Sequence, residues 1–323
     1  MLIEYTNDTV FIFYITEHIG DTFHTQKVVQ NIIESNKDKN IYFYMHNNLF
    51  IHSKFSEKLI SHEINIELCK MINKISQHPY QIVTPINKEI VLVDINKGKL
   101  TNCSINTIEM NPESYQKGII KYFEKLSENN VINFKYVPLE NKDLLPVIPA
   151  TNIDLFLQWK KTIPNPLIFY YNYFPKSGQL IPCMTDYEHE QVIIHIAKIN
   201  PNYIILVPKY TEGIKDISNI VSCEEIFNCK ENKSCENLYK INKILCQCEY
   251  SVHYDIGASM TYMNTDVFLK KNTILHFKAC DGGSYYEILT NFLKSINPTV
   301  DKIHSITCRN YKEMLTYFDT PLL

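Results

Sequence analysis

The chain has 323 residues, 45% of them apolar, a formal net charge of −3 and a single arginine, Arg309. That length fits two ordinary domains and that apolar share fills real cores. The scarcity of arginine, the usual side chain for bidentate phosphate and base contacts, argues against a nucleic-acid-binding surface. No apolar run approaches the ~20 residues of a membrane span. The start of the chain, Met1-Leu2-Ile3-Glu4-Tyr5, carries neither a basic region nor a cleavage site. Ten cysteines in so long a chain without a secretory signal are therefore expected to be mostly free thiols in a reduced, cytoplasmic protein. Heavy use of asparagine, isoleucine, lysine and tyrosine reads as the bias of an AT-rich genome.

The first predicted element is Thr9–Ile15, a β-branched and aromatic run too continuous for a half-exposed strand. Gly20-Asp21 breaks it and opens a helix over 22–35, with Val28, Val29, Ile32 and Ile33 on one face. A second apolar run, Asn40–Met45, completes a βαβ unit. In such units ligands gather where the first strand ends and the first helix begins, which is where Gly20-Asp21 falls. A helical stretch over 55–75, strands at 81–84 and 89–93, a helix over 112–126 and a strand at 132–137 follow. Strands alternating with helices predict an α/β layer fold.

Four prolines between 144 and 166 read as an inter-domain connector holding a short helix with the only tryptophan, Trp159; the alternative is a proline-rich loop within one large domain. The pattern then restarts: a strand at 167–171, the turn Phe174-Pro175-Lys176-Ser177-Gly178, a helix over Asp186–Ile199 and a strand at 203–207. Further strands are expected at 219–221, 250–253 and 273–277, with helices at 237–245, 259–268 in part, 284–293 and 311–318. The predicted organisation is a first Rossmann-like doubly wound domain over 1–150, a second over 160–305, and a C-terminal helix in 306–323 that packs back on the first. Two such α/β domains facing each other enclose a cleft lined by both first-strand turns.

These residues resemble the heptosyltransferase family of glycosyltransferases, which have the two-Rossmann glycosyltransferase-B architecture. The family's opening strand, Gly-Asp turn and helix are matched by Phe11–Ile15 followed by His18-Ile19-Gly20-Asp21-Thr22-Phe23-His24-Thr25. Its second hallmark, a strand entering Asp-Thr-Gly-Pro-Met-His, is matched in part by Asp255-Ile256-Gly257-Ala258-Ser259-Met260. Lys176 stands in the first turn of the second domain, where the family often has a lysine. Asp255 and Gly257 agree with the pattern, whereas Ile256 and Met260 replace a threonine and a histidine that make polar contacts to the donor. The resemblance implies an inverting, metal-independent transferase. It would move a sugar from a nucleotide-sugar to a glycan or glycolipid acceptor, with no cofactor beyond that substrate. The altered donor motif keeps a rival open: a non-catalytic protein that retains the fold as a binding or assembly module.

Inverting transfer needs a base for the acceptor hydroxyl and stabilisation of the leaving diphosphate. Asp21 is the candidate base by position and resemblance; the alternative for it is a helix N-cap, which would lower its pKa. On the donor side stand Lys176, Asp255 and Gly257, together with Lys278 and the Asp281-Gly282-Gly283-Ser284 turn, whose glycines let backbone N–H groups approach an anion. The alternatives for these are solvated lysines and ordinary turns. Gly20, His18 and His24 flank Asp21 as candidate acceptor contacts, the alternative for the two histidines being a surface or packing role. Cys223, Cys229, Cys235, Cys246 and Cys248 cluster, but their spacing does not match a structural zinc site. No Asp-x-Asp, Gly-x-Gly-x-x-Gly, Gly-x-Ser-x-Gly or Walker A sequence occurs.

Overall fold

In the computed structural model the chain divides into two compact units, Met1–Pro146 and Val147–Leu323. The structure describes residues 9–15, 31, 34–35, 37, 40–45, 59–61, 90–94, 99–102 and 105–109 of the first. In the second it describes 147–148, 150–172, 184–229, 235–254, 262, 264, 266–267, 272–278 and 303–322.

The first unit contains strands β1 (Thr9–Ile15), β2 (Asn40–Met45), β3 (Leu59–Ser61), β4 (Ile90–Asp94), β5 (Lys99–Asn102) and β6 (Ile105–Glu109). They form one sheet in the order β3-β2-β1-β4-β5-β6. β1 runs parallel to both β2 and β4, with Phe11 in register with Tyr42 on one side and Ile90 on the other. Between β1 and β2 the chain is helical at Asn31, Glu34 and Ser35, and the Ser35 hydroxyl donates to Asn31 Oδ1 at 2.9 Å. This is the expected βαβ unit. Because β2 and β3 step outward on one side of β1 and β4 lies on the other, the strand order reverses between β1 and β4. Two features depart from the sequence reading. β3 lies inside the stretch read as helix at 55–75. β5 and β6 add an antiparallel hairpin to the edge of β4, so this sheet is not wholly parallel. The predicted elements at 81–84, 112–126 and 132–137 lie outside the described residues.

The second unit contains β7 (Leu167–Tyr170), β8 (Ile204–Val207), β9 (Ile220–Ser222), β10 (Tyr250–Tyr254), β11 (Thr273–Lys278) and β12 (Ile303–Thr307). Its order is β12-β11-β10-β7-β8-β9, and every pairing is parallel. In chain order this is 6-5-4-1-2-3, the doubly wound arrangement with its switch point between β7 and β10. Parallel strands are covered on both faces and must be apolar throughout. All four residues of β7 are buried, as are the last three of β8 and the last four of β10. The outer strand β12 buries only Ile303, and the sequence reading had missed it.

Helices α1 (Asp154–Lys160), α2 (Asp186–Ile199), α3 (Cys223–Phe227), α4 (Cys235–Leu245) and α5 (Tyr311–Tyr317) complete the described part of this unit. α2 buries Val192, Ile193, Ile196 and Ala197, the stripe expected of a helix laid on a sheet. α1 carries Trp159, which meets Phe227 of α3 at 5.2 Å between ring centroids, with Phe156 completing the cluster. Within its own unit α5 packs on α2, and its Tyr317 meets Phe277 of β11 at 5.5 Å between ring centroids. Beyond it, Phe318 is fully buried beside Phe277, and Leu322 N donates to Asn200 Oδ1 at 2.8 Å. Among the described residues no helix is long and apolar enough to cross a membrane.

Candidate functional site

In an open doubly wound sheet a ligand sits beyond the carboxyl ends of the strands at the point where strand order reverses. In the second unit that point lies between Tyr170, the last residue of β7, and Tyr254, the last of β10. The backbone ladder between these strands ends at the pair Val252–Tyr170, with Tyr171 N donating to Val252 O at 3.0 Å. β10 remains paired with β11 for two more residues, to Tyr254–Phe277. Beyond Val252 the described pairing of β10 is therefore to β11 alone.

Three buried side chains occupy this opening on the α2 face. The Tyr254 hydroxyl donates to the Tyr170 hydroxyl, and the Tyr170 hydroxyl lies 3.2 Å from Nδ1 of His189 in the first turn of α2. With Tyr170 donating, His189 accepts at Nδ1 and is neutral. Burial lowers its pKa to about 4, partly opposed by the neighbouring Glu188. Burial raises Tyr170 well above the ordinary tyrosine value, so this hydroxyl keeps its proton. Asn172, also buried, extends the edge to the next strand by donating from Nδ2 to Lys209 O at 2.9 Å.

The opposite face of the same strands carries a second polar aromatic group. His253 of β10 and His276 of β11 are register partners, and both are fully buried. Tyr262 stacks on His253 at 4.2 Å and places its hydroxyl 3.2 Å from His276 Nδ1. Asn264, two residues on, donates to Asn242 Oδ1 of α4 at 3.1 Å, and Lys243 pairs with Asp266. Tyr262, Asn264 and Asp266 are thereby tied to β10, β11 and α4.

Helix N-termini are the usual backbone sites for a diphosphate, but the three that follow β7, β9 and β12 are occupied by their own chains. Thr185 and Glu188 form a capping box at α2, with Thr185 N donating to Glu188 Oε2 at 2.8 Å. Ser222 Oγ accepts from Glu225 N at α3. Asn310 Oδ1 accepts from Lys312 N and Glu313 N at α5. Each first turn also carries acidic side chains, which disfavour an anion there.

Of the predicted site residues, Lys278 alone has a described backbone position, at the end of β11 in register with Thr307. His18, Gly20, Asp21, His24, Lys176, Asp255, Gly257, Gly282 and Gly283 lie outside the described residues. The strand ends from which their segments leave are described. Asp21 follows the end of β1 by six residues and Lys176 follows the end of β7 by the same interval. Asp255 immediately follows β10. In each unit these are the carboxyl ends of strands at the switch point. Cys223, Cys229, Cys246, Cys248 and Cys308 are buried and form no disulfide. Among the described residues no group of three or more His, Cys, Asp or Glu side chains is arranged to hold a metal ion. Tyr170, Tyr254 and His189 escaped the sequence reading. No motif in the sequence singles them out.

No protein-family model and no curated protein matches the chain. Among solved structures, it is similar to a glycosyl transferase family 9 protein from Veillonella parvula, with 10% identity, coverage of 98% of this chain and 90% of that one, and a TM-score of 0.48. It is also similar to the E. coli heptosyltransferase WaaC with ADP, at 9% identity, 85% and 88% coverage and a TM-score of 0.45. The E. coli ADP-heptose lipopolysaccharide heptosyltransferase II matches at 9% identity, 95% and 96% coverage and a TM-score of 0.43.

Proposed function

We propose that the protein is a glycosyltransferase that moves a sugar from a nucleotide-sugar to a glycan or glycolipid acceptor, with inversion and without a metal. The supporting observation is the strand order of the second unit. Its switch point falls between the two strands whose next turns carry Lys176 and Asp255-Ile256-Gly257, the donor-side residues of the heptosyltransferase resemblance. Lys176 would offset the charge of the leaving diphosphate, a role that suits the self-capped N-terminus of α2, the helix following β7. Asp255 and Gly257 would contact the donor. Lys278 ends the neighbouring strand, ahead of the turn with Gly282 and Gly283. Asp21, beyond the corresponding strand of the first unit, would take the proton from the acceptor hydroxyl. Gly20, His18 and His24 would line the acceptor side.

The test is calorimetric binding of ADP, UDP, GDP and CMP, and of their sugar conjugates, to the purified chain. The reading expects one nucleotide to bind in the micromolar range and the Lys176→Ala and Asp255→Ala variants to bind it more weakly. Ile256 and Met260, which replace polar donor contacts, favour a second reading as a non-catalytic module. Failure of every nucleotide to bind would select that one.

A further inference from the structure

The backbone ladder between β7 and β10 ends at Tyr170 and Val252, two residues short of the end of β10. Where it ends, a side-chain chain takes over: Tyr254 hydroxyl to Tyr170 hydroxyl to His189 Nδ1. We propose that Tyr254, Tyr170 and His189 form a clamp that positions the ligand-binding edge of the second unit by fixing where the segments carrying Lys176 and Asp255 leave the sheet. The proposal rests on the donor-site reading above for its ligand, but not for its mechanics.

Tyr170 is the last residue of β7, and His189 lies just inside the helix that follows. Their contact closes the β7–α2 connection at its base, and Lys176 lies within that connection. Tyr254 is the residue immediately before Asp255. One chain of hydrogen bonds thus ties together the roots of both donor-side segments. Each member depends on the next, because a buried hydroxyl or imidazole deprived of its partner is costly. The rings are locked by their neighbours: His189 meets Tyr254 edge-on at 5.1 Å, Tyr170 meets Tyr254 at 5.7 Å, and Phe277 lies 6.4 Å beyond. These are positioning residues. Their role in the proposal runs through the backbone they anchor and not through contact with the ligand.

The same pair of strands provides an internal control. At the amino end Glu249 N donates to Leu167 O at 3.0 Å, and at the carboxyl end Tyr171 N donates to Val252 O at 3.0 Å. Amide hydrogen exchange, read by fragmentation mass spectrometry on the full chain, is compared for the wild type and Tyr254→Phe. The clamp requires exchange at Tyr171 to accelerate by about tenfold while Glu249 keeps its wild-type rate. Equal acceleration at both ends, or at neither, overturns it irrespective of any nucleotide.

In parallel, calorimetry measures the nucleoside diphosphate that the wild type binds. Tyr254→Phe is expected to weaken binding by about tenfold at a temperature where it is fully folded. Ile220→Val, a core variant on β9, two strands away from β7, is expected to leave affinity unchanged. His189→Asn, which returns an acceptor, is expected to bind more tightly than His189→Phe. Selective exchange at Tyr171 with unchanged affinity would overturn the positioning role. Should the wild type bind no nucleotide at all, the donor-site reading falls and the exchange result alone decides the clamp.

Discussion

The Tyr170 hydroxyl stands 3.2 Å from Nδ1 of His189, linking the end of a strand to the first turn of the helix that follows it. The imidazole is buried, and the positive end of α2 also disfavours a charge there. Its neutrality therefore belongs to the fold, and that has consequences for stability.

The first consequence is a pH dependence with a definite sign. Burial lowers His189 from 6.5 to about 4. Between those values the unfolded chain binds a proton that the folded chain refuses, so stability falls as pH falls. The slope from this group is about 1.4 kcal/mol per pH unit and the full loss roughly 3 kcal/mol. Above pH 6.5 both states are neutral at this site and the contribution is constant. Urea unfolding of the wild type and His189→Gln at pH 7, 6 and 5 measures it. The variant is expected to lose less stability on acidification. Parallel pH profiles would refute the assignment.

Trp159 supplies an optical probe for the opposite end of the unit. It is the chain's only tryptophan and packs edge-on against Phe227. Phe227→Ala removes a buried ring and leaves a space that Phe156 and Trp159 cannot fill without shifting. The expected cost is about 3–5 kcal/mol, with Trp159 emission moving to longer wavelength as water approaches. Unchanged emission would mean that α1 and α3 do not pack as described.

Four of the described thiols are predicted to be inert. Burial raises Cys223 and Cys248 strongly, and brings Cys229 and Cys308 up to about 11. Thiolates are the reactive species, so none of these four should alkylate at neutral pH unless the fold opens. Peptide mapping after brief iodoacetamide treatment, with and without denaturant, checks this. Rapid native labelling of Cys223 would contradict its burial.

Local chemistry decided which elements the sequence disclosed. β1, β2 and α2 were legible with the bounds observed, because Thr9–Ile15 and Asn40–Met45 are continuous apolar runs and Asp186–Ile199 has a helical stripe. β3 was hidden because three residues, Leu59-Ile60-Ser61, cannot display a period of two. β5 and β6 join through Cys103-Ser104, which lacks the Asn-Gly or Asp-Gly signal of a two-residue hairpin. β12, as an outer strand, shows no apolar run. α3 did carry a signal: Ser222 caps it through Glu225, and Asn228 closes it with φ of 53°. The strand ends that frame the candidate site could be read from the order of elements. The Tyr254–Tyr170–His189 chain could not, since it joins residues 84 and 19 positions apart, and only the sheet order brings them together.

The capping box of α2 gives a prediction about the connection that carries Lys176. Thr185 Oγ1 accepts from Glu188 N at 3.2 Å while Glu188 returns a bond to Thr185 N. Thr185→Ala is expected to cost about 1 kcal/mol and Thr185→Ser far less. Thermal unfolding of the two variants side by side would show it. Equal midpoints would mean the box contributes nothing measurable.

Asp21 poses the sharpest question for catalysis, because its two readings respond differently to one substitution. As an N-cap, aspartate and asparagine are nearly equivalent, since either offers a side-chain oxygen to the first turn. As a base, only the carboxylate can take the acceptor's proton, and losing a positioned base typically costs about 10²–10⁴ in rate. Asp21→Asn is therefore expected to melt within about a degree of the wild type, given the near-equal capping. It should bind the nucleotide-sugar with unchanged affinity and transfer sugar at least about a hundredfold more slowly. Asp21→Ala serves as the companion, losing the cap as well as the base. If Asp21→Asn transfers at the wild-type rate while Asp21→Ala only melts lower, the carboxylate is a cap and the base must be sought elsewhere on the acceptor side.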